Sequence, residues 1–170
     1  MASIWVIAEH KEGKIKKVSL ELLSKGKELG GDIAAVLLGK GVDGLAAQLG
    51  KYGAKKVYLA QDDKLEKYTA DAYAKVIADL AKANNPDIIL LGASVQGKDY
   101  SPRLAAKLGA GLATDCTGLD LDGDKLVATR PIYAGKAFVK VAFKASPAIA
   151  SVRPNVMALG ADDGGAPEVV

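Results

Sequence analysis

The chain has 170 residues, 49% of them apolar and 25% charged, a composition typical of one globular domain with a well-formed core. Its 23 basic and 20 acidic residues leave a formal charge of only +3, with lysines interleaved among acids, so no nucleic acid partner is expected. A single cysteine excludes an internal disulfide, and a single histidine excludes a multi-histidine zinc site, so no metal site is expected.

The apolar runs and the amino-terminal residues indicate where in the cell the protein is expected. No run approaches the ~18 consecutive apolar residues of a membrane-spanning helix. The sequence from Met1 to Glu9 lacks the basic flank and the cleavage site of a signal peptide. We therefore expect no membrane insertion and a cytoplasmic location.

Up to about residue 109, short aliphatic runs alternate with amphipathic segments. The runs are apolar on both faces, which is typical of strands covered by helices on both sides, and they predict strands at residues 4–8, 33–38, 56–60 and 88–91. Apolar residues at helical spacing predict helices at 17–29 and 69–83, the second with Thr69 as its N-cap. The alternation predicts βαβ units, and therefore an α/β fold with a doubly wound, mostly parallel sheet.

After residue 111 the pattern changes, because turns rather than helices join the strand-like segments. Added antiparallel or mixed strands are predicted at residues 119–122, 126–130, 137–143 and 148–152. Residues 160–167 have the composition of a linker, and residues 168–170 are typical of the start of another segment. The predicted organisation is an α/β domain at 1–159 followed by a linker at 160–170.

Two side chains with reactive chemistry, His10 and Cys116, are given structural roles. His10 follows Glu9 at the end of the first predicted strand, where ligand sites of open α/β sheets lie, but no nucleophile accompanies it. Cys116 has no neighbouring cation, and the adjacent Asp115 would raise the pKa of the thiol. No catalytic residue is therefore predicted.

The segment from residue 92 to residue 103 is a candidate nucleotide loop. A strand ends at its first residue, a loop follows, and a helix is predicted to begin near Ser101 and Pro102. Free backbone N–H groups at a helix start suit a phosphate, but the segment matches neither G-x-G-x-x-G nor the Walker pattern. A capped helix start or a domain contact remains the alternative. The candidate residues of a vestigial nucleotide loop are Gly92, Ser94, Gly97, Ser101 and Arg103.

Two arginines lie at the ends of late predicted strands. Arg130 precedes Tyr133 by three residues, and Arg153 directly follows the last predicted strand. Arginine and tyrosine are enriched among the residues that dominate interfaces. Arg130, Tyr133 and Arg153 are therefore predicted to contact a partner or a second domain, and the alternative is that both arginines are solvated.

Several segments, taken in order and with their spacing, resemble one known family. They are residues 4–10, 18–23, 86–94, 102–108, 130–137 and 151–154. The Tyr-Ala-Gly sequence at 133–135 and the Arg-Pro pair at 153–154 are the most specific of them. Over about residues 4–155 the sequence resembles the N-terminal part of the α subunit in the electron transfer flavoprotein family.

The resemblance implies a Rossmann-like sheet of the adenine nucleotide α-hydrolase-like type, and a role in electron transport rather than catalysis. Members of this family resemble one another in two respects: they are α/β heterodimers, and they carry electrons on FAD. They transfer these electrons from acyl-CoA dehydrogenases and other dehydrogenases to a membrane quinone oxidoreductase. The resemblance places the FAD ligands in the C-terminal domain of the α subunit and AMP in the β subunit. The chain would then be a scaffold and interaction domain that pairs with the β subunit and supports the flavin domain.

Family members continue beyond the position of Val170 into the flavin domain, so the chain alone is expected to purify without bound FAD. The alternative is a stand-alone adenine-nucleotide-binding protein with the fold of universal stress proteins. Retention of an adenine nucleotide by the purified chain would distinguish the two.

Overall fold

The computed structural model describes residues 1–170 as strands and helices that alternate through most of the chain. The strands are β1 (Ser3–Ala8), β2 (His10–Lys11), β3 (Lys14–Ile15), β4 (Asp32–Gly39), β5 (Lys56–Gln61), β6 (Ile88–Gly92), β7 (Leu112–Cys116), β8 (Gly118–Asp122), β9 (Lys125–Ile132), β10 (Ala137–Ala142), β11 (Ala148–Val152) and β12 (Glu168–Val169). The helices are α1 (Lys17–Glu28), α2 (Ala46–Lys51), α3 (Ala70–Asn84) and α4 (Val95–Leu108).

The main sheet has seven strands in the order β12-β5-β4-β1-β6-β11-β7. Every neighbouring pair in it is parallel. A second, antiparallel sheet has the order β10-β9-β8, and β2 pairs with β3 in a small hairpin.

Two apolar layers hold the other elements against the main sheet. Because side chains alternate along a strand, Val6 of β1 belongs to one layer and Trp5 to the other. The first layer has 27 buried residues and includes Leu22 of α1 together with residues of α2 and of the antiparallel sheet. The second has 17 buried residues and includes Ile77 of α3 and Leu104 of α4. The doubly wound α/β fold is therefore confirmed.

The predictions for the first part of the chain agree closely with the structure. The four predicted strands are β1, β4, β5 and β6, with each end within one residue of the prediction, and β6 lies inside the sheet between β1 and β11. The two predicted helices are α1 and α3, and Thr69 occupies the N-cap position of α3, although its side chain makes no capping hydrogen bond. None of the helices has the length and apolar character needed to span a membrane.

The strands after residue 111 belong to two different sheets. β8, β9 and β10 form the predicted antiparallel addition, as a separate sheet. β11 instead joins the main sheet in parallel between β6 and β7, and all five of its residues are buried. The sequence does not predict β7, because Thr114 and Asp115 interrupt its apolar pattern.

The prediction that a helix begins near residue 101 is wrong, because α4 begins at Val95 and Pro102 lies in its interior. Ser94 caps the helix, since its Oγ accepts a hydrogen bond from the Gly97 N–H at 3.0 Å. Glycine permits the close approach, because a Cβ at position 97 would lie 1.9 Å from the carbonyl oxygen of Gly92. Pro102 is exposed, so the carbonyl that loses its N–H partner lies on the surface side of the helix.

Residues 160–170, predicted as a linker, pack on α1, α2 and β5. β12 pairs with β5 along the edge of the main sheet. A Cβ at Gly50 of α2 would lie 2.3 Å from Cδ of Pro167, so the segment fits closely on that helix. A second domain after this segment remains a prediction. Three ion pairs attach the segment: Lys27 with Asp163, Lys51 with Asp162 at 3.2 Å, and Lys56 with Glu168 at 3.3 Å.

Candidate functional site

The order of strands in the main sheet reverses between β1 and β6. From β1 the chain moves to β4 and β5 on one side, and from β6 it moves to β7 and β11 on the other. In open α/β sheets, ligands bind in the crevice outside the carboxyl ends of the strands at this point. Glu9, which follows β1, and Ser94, which follows β6, therefore lie at the expected ligand site, which we call the switch point.

The switch point is occupied by the carboxylate of Glu9, which is 4% exposed. Ser94 Oγ lies 2.8 Å from both carboxylate oxygens and donates to this group. Lys16 Nζ donates to Oε2 at 2.8 Å, and the backbone N–H of Glu9 donates to Ser19 Oγ at 2.8 Å. A buried charge needs both a counter-ion and hydrogen bonds, and the chain supplies both here.

The carboxylate of Glu9 lies beside the start of α4, which is a usual position for a bound anion. The N-terminus of a helix carries a partial positive charge and binds phosphates or carboxylates. Ser94 links the two groups, because the same Oγ that contacts Glu9 also accepts the Gly97 N–H at 3.0 Å. A Cβ at Gly92 would lie 3.2 Å from Glu9 Oε1, so the carboxylate packs directly against the end of β6. The carboxylate of Glu9 therefore lies beside the helix start, where its negative charge disfavours a bound phosphate.

The structure divides the five predicted residues of the vestigial nucleotide loop into two groups. Gly92, Ser94 and Gly97 meet at the start of α4. Ser101 lies in the interior of α4, where its Oγ is buried without a partner. Arg103 lies two residues further along α4 and donates to Asp71 at 2.8 Å on the surface. Ser101 and Arg103 are therefore not part of a loop, because the capped helix begins before them.

A cleft beside the switch point contains His10 and three tyrosines. Its volume is about 150 Å³. His10 Nε2 lies 2.8 Å from the carbonyl oxygen of Leu38, which requires Nε2 to carry the hydrogen. The Tyr68 hydroxyl donates to Asp99 at 2.8 Å, whereas the Tyr100 hydroxyl is buried without a partner.

The chemistry of this cleft argues against a nucleotide or a nucleophile. Small-molecule sites usually have volumes of about 300–1,000 Å³, so about 150 Å³ is too small for a nucleotide. Burial, together with the negative charge of Glu9, raises the pKa of Tyr100 well above its ordinary value, and burial also raises the pKa of Tyr68. The phenols therefore stay neutral.

Cys116 ends β7 and is completely buried. Burial raises the pKa of its thiol to about 11; Asp115 raises it further, whereas Arg130 acts in the opposite direction. The nucleophilic form of cysteine is the thiolate, which is scarce at neutral pH in such an environment. The structure therefore supports the structural role expected for Cys116.

Arg153, which follows β11, is engaged within the chain. Its Nε donates to Asp115 Oδ1 at 3.1 Å and its Nη2 donates to Oδ2 at 2.7 Å, a two-point contact between guanidinium and carboxylate. The hydrogen bonds from Arg153 lower the pKa of the Asp115 carboxyl, with smaller effects from the charges of Lys98 and Arg130. Asp115 is the partner that the sequence did not reveal, because the two residues lie 38 positions apart.

The connection between β9 and β10 is the second candidate site, and we call residues 130–138 the hairpin tip. Arg130 is half-buried, and its Nε is enclosed without a hydrogen-bond partner. Tyr133 is 78% exposed and Phe138 is 62% exposed. Tyr133, Ala134 and Gly135 have φ angles of 50°, 52° and 85°, so three successive residues adopt the left-handed conformation that turns the chain here. The hairpin tip therefore exposes two aromatic side chains, while Arg130 pairs with Val139 and so lies on the opposite face of the hairpin from Phe138.

Neither the closure of the switch point nor the exposure of Phe138 could be found from the sequence. Glu9 is one acidic residue after an apolar run, and Lys16 and Ser94 lie far from it along the chain. Phe138 lies in a segment with an alternating pattern, but the pattern does not tell which face remains uncovered.

These features define an α/β domain of the doubly wound class, with a buried carboxylate at its switch point and a hairpin of a second sheet that exposes two aromatic side chains. The chain belongs to the electron transfer flavoprotein domain family, whose sequence profile matches residues 4–170. The resemblance to this family that the sequence indicated is thereby confirmed.

Curated relatives agree with this family. The chain is 41% identical over 160 residues to the electron transfer flavoprotein subunit alpha of Syntrophomonas wolfei subsp. wolfei, covering 94% of the chain and 50% of that protein. It is 40% identical over 152 residues to the protein of the same name from Bacillus subtilis, covering 88% and 47%. It is 37% identical over 183 residues to the acryloyl-CoA reductase electron transfer subunit beta of Anaerotignum propionicum, covering 91% and 50%. The chain thus spans about half the length of these relatives.

Proposed function

We propose that the chain is the N-terminal scaffold and interaction domain of an electron transfer flavoprotein α subunit. The observation that carries the proposal is the closed switch point, where the Glu9 carboxylate accepts hydrogen bonds from Ser94 and Lys16. A domain whose ligand site is filled by its own side chain is suited to hold other parts of a protein rather than a nucleotide. The subunit names of the relatives support the same role.

The complete carrier would be a heterodimer with an electron transfer flavoprotein β subunit, located in the cytoplasm. FAD would be held outside this chain, and AMP would be held by the β subunit. The partners would be acyl-CoA dehydrogenases, other dehydrogenases and a quinone oxidoreductase, between which the carrier moves electrons without itself acting as an enzyme. The name of the Anaerotignum propionicum relative, which refers to acryloyl-CoA reductase, supports the acyl-CoA part of this proposal.

Residues 160–170 would connect this domain to the flavin domain. In this proposal residues 160–170 fix the position from which the chain continues toward the flavin domain, since β12 pairs with β5 at the edge of the main sheet. For the contact with the β subunit, Arg130 and Tyr133 of the hairpin tip are the proposed anchors. Arg153 is proposed to contribute indirectly, because its guanidinium already contacts Asp115 at two points.

The test is to purify the chain alone and together with the β subunit of the same source. We expect the chain alone to show no flavin absorbance and to release no adenine nucleotide on denaturation, as measured by mass spectrometry. We expect the mixture to sediment as a heterodimer. Stoichiometric adenine nucleotide on the chain alone, with no heterodimer in the mixture, would favour the stand-alone nucleotide-binding protein and overturn the proposal.

A further inference from the structure

β10 is an edge strand, and the backbone groups on its outer side have no partner. The antiparallel sheet has the order β10-β9-β8, so β10 has a neighbouring strand on one side only. Opposite residues in an antiparallel pair alternate between those that exchange backbone hydrogen bonds and those that do not. Phe138 lies opposite Pro131, which has no N–H group, so this pair is one that does not exchange them.

This alternation decides which groups of β10 are free. Because Phe138 does not bond to β9, the N–H and C=O groups of Phe138, Lys140 and Ala142 all point away from β9. No backbone hydrogen bond outside the helices and strands involves these residues, and their side chains are exposed. A row of free donors and acceptors therefore lies along an uncovered edge, and such an edge can accept an added strand.

The charge around β10 indicates what kind of strand it would accept. Although the chain as a whole mixes the two signs, residues 125–161 contain no aspartate or glutamate. The same range contains six basic residues: Lys125, Arg130, Lys136, Lys140, Lys144 and Arg153. Lys136, Lys140 and Lys144, which lie in and around β10, are exposed and make no ion pair. The edge is thus basic along its length, which favours an acidic segment.

Lys140 selects between strands rather than excluding all of them. A lysine in an edge strand usually prevents pairing with further copies of the same strand, because their like charges would lie close together. An acidic strand is not excluded in this way, since a carboxylate opposite Lys140 would make a favourable cross-strand pair. Phe138 lies on the same face as Lys140 and is 62% exposed, so it would pack against an apolar residue of the added strand.

We propose that β10 binds an extended acidic segment of the β subunit, which adds to the antiparallel sheet as a fourth strand. This inference rests on the proposed function, since it specifies the surface and the kind of segment by which the β subunit is recognised. Backbone hydrogen bonds to Phe138, Lys140 and Ala142 provide the affinity, and a carboxylate near Lys140 provides the specificity. The edge that is open in the free chain is then covered in the heterodimer.

The first measurement is amide hydrogen exchange in the chain alone and in the heterodimer. We expect exchange at Phe138, Lys140 and Ala142 to slow at least about tenfold in the heterodimer, because their N–H groups gain acceptors. Val139 and Val141 are internal controls, since their N–H groups face β9 and should already be protected in the chain alone. Unchanged exchange at the three outer amides in a heterodimer that does form would overturn the inference and leave the proposed function intact.

The second measurement is the Kd of the heterodimer by calorimetry, with the melting temperature of each variant chain as a check on its fold. Ala142→Pro removes one outer N–H and leaves the bonds to β9 in place, so the Kd should rise about tenfold. Lys140→Glu reverses the charge and should raise the Kd about tenfold or more, with a smaller rise for Lys140→Gln. The control is Lys67→Glu, which reverses an exposed lysine outside this sheet and should change the Kd less than about twofold.

The remaining outcomes separate this inference from the proposed function and from other occupants of the edge. A wild-type Kd in both Ala142→Pro and Lys140→Glu would overturn the inference while the heterodimer persists. Failure of the wild-type chain to bind the β subunit would overturn the proposed function and this inference with it. A dimer of the chain alone that Ala142→Pro abolishes would show a second copy on this edge instead. Binding to phosphatidylserine vesicles that Lys140→Glu abolishes would show a lipid surface instead.

Discussion

The switch point and the hairpin tip treat their charged groups in opposite ways. At the switch point, Glu9 is 4% exposed and its two oxygens accept hydrogen bonds from a serine and a lysine of the same chain. At the hairpin tip, the Nε of Arg130 is buried without an acceptor, and Tyr133, three residues further along the chain, is 78% exposed. The charged group of the first region is hydrogen-bonded within the chain, whereas the second region has a buried donor without an acceptor and two exposed aromatic side chains.

The difference indicates which part of this fold is available to bind another molecule. The strand ends of a doubly wound sheet form its usual ligand site, but the negative charge of a carboxylate beside the start of α4 disfavours a phosphate there. The antiparallel sheet is an addition to that architecture, and its hairpin exposes the large aromatic side chains. The comparison therefore supports a domain that binds through its added sheet.

Glu9→Ala removes the buried carboxylate at the switch point and is expected to have the largest effect on stability. It leaves Ser94 and Lys16 without their buried acceptor, and since Lys16 is partly exposed, we expect the free energy of unfolding to fall by about 3 kcal/mol. Urea denaturation measures this loss. The control is Glu66→Ala, which breaks an exposed pair with Lys40 and should cost less than about 0.5 kcal/mol. Equal effects of the two changes would mean that the switch point is not held by Glu9.

Gly50→Ala tests whether residues 160–170 pack as closely against α2 as the structure shows. Alanine should stabilise a helix by about 1 kcal/mol relative to glycine, but here its Cβ would lie 2.3 Å from Pro167. We therefore expect a net loss of about 1–2 kcal/mol and faster hydrogen exchange at the Leu59 amide, which donates to the carbonyl of Val170.

The control for this change is Gly44→Ala, because a Cβ at that position meets nothing within 4 Å. It should leave exchange at Leu59 unaltered. If Gly50→Ala stabilises the chain and exchange at Leu59 stays slow, residues 160–170 pack less tightly against α2 than the structure shows.

Sequence reasoning was accurate where one physical rule decided the outcome. A strand buried on both faces must be apolar throughout, so the aliphatic runs at residues 4–8 and 88–91 identified β1 and β6. It failed for α4, because proline is most common in the first turn and Pro102 suggested a start there. The actual start depends on the contact between Gly97 and the end of β6, which joins two elements and leaves no local pattern.

The candidate site was predictable only in its residue types. Arg130, Tyr133 and Arg153 were selected because arginine and tyrosine suit interfaces, and the structure places Tyr133 at an exposed tip. The sequence could not separate the two arginines, because Asp115 contacts Arg153 and not Arg130 only as a result of the pairing of β7 with β11. Partner choice of this kind depends on tertiary structure.

Arg153→Ala sharpens the contrast between the two arginines. Its pair with Asp115 is about half exposed on the arginine side, so its removal should lower the free energy of unfolding by at most about 1 kcal/mol at pH 7. Because Arg153 lowers the pKa of the folded Asp115 carboxyl, the contribution is present above the pKa of an unfolded aspartate, about 4, and is lost as the pH falls through the folded value.

Urea denaturation between pH 7 and pH 3 tests this expectation. The difference between wild type and Arg153→Ala should shrink as the pH falls below about 4. A difference that stays constant over this range would mean that the contact with Asp115 does not stabilise the fold. Arg103→Ala, which breaks the more exposed pair with Asp71, serves as the control.

Tyr100→Phe probes a polar group beside the switch point that the chain leaves without a hydrogen-bond partner. The Tyr100 hydroxyl is buried in the cleft beside Glu9 without a hydrogen-bond partner. Its removal should therefore be neutral or should raise the free energy of unfolding by up to about 1 kcal/mol, which urea denaturation can measure. Tyr58→Phe is the control, because that hydroxyl donates to Asn84 at 3.1 Å and its loss should cost up to about 0.5 kcal/mol. A clear loss of stability in Tyr100→Phe would mean that the hydroxyl binds a molecule in the cleft, and the switch point would then no longer be complete within the chain.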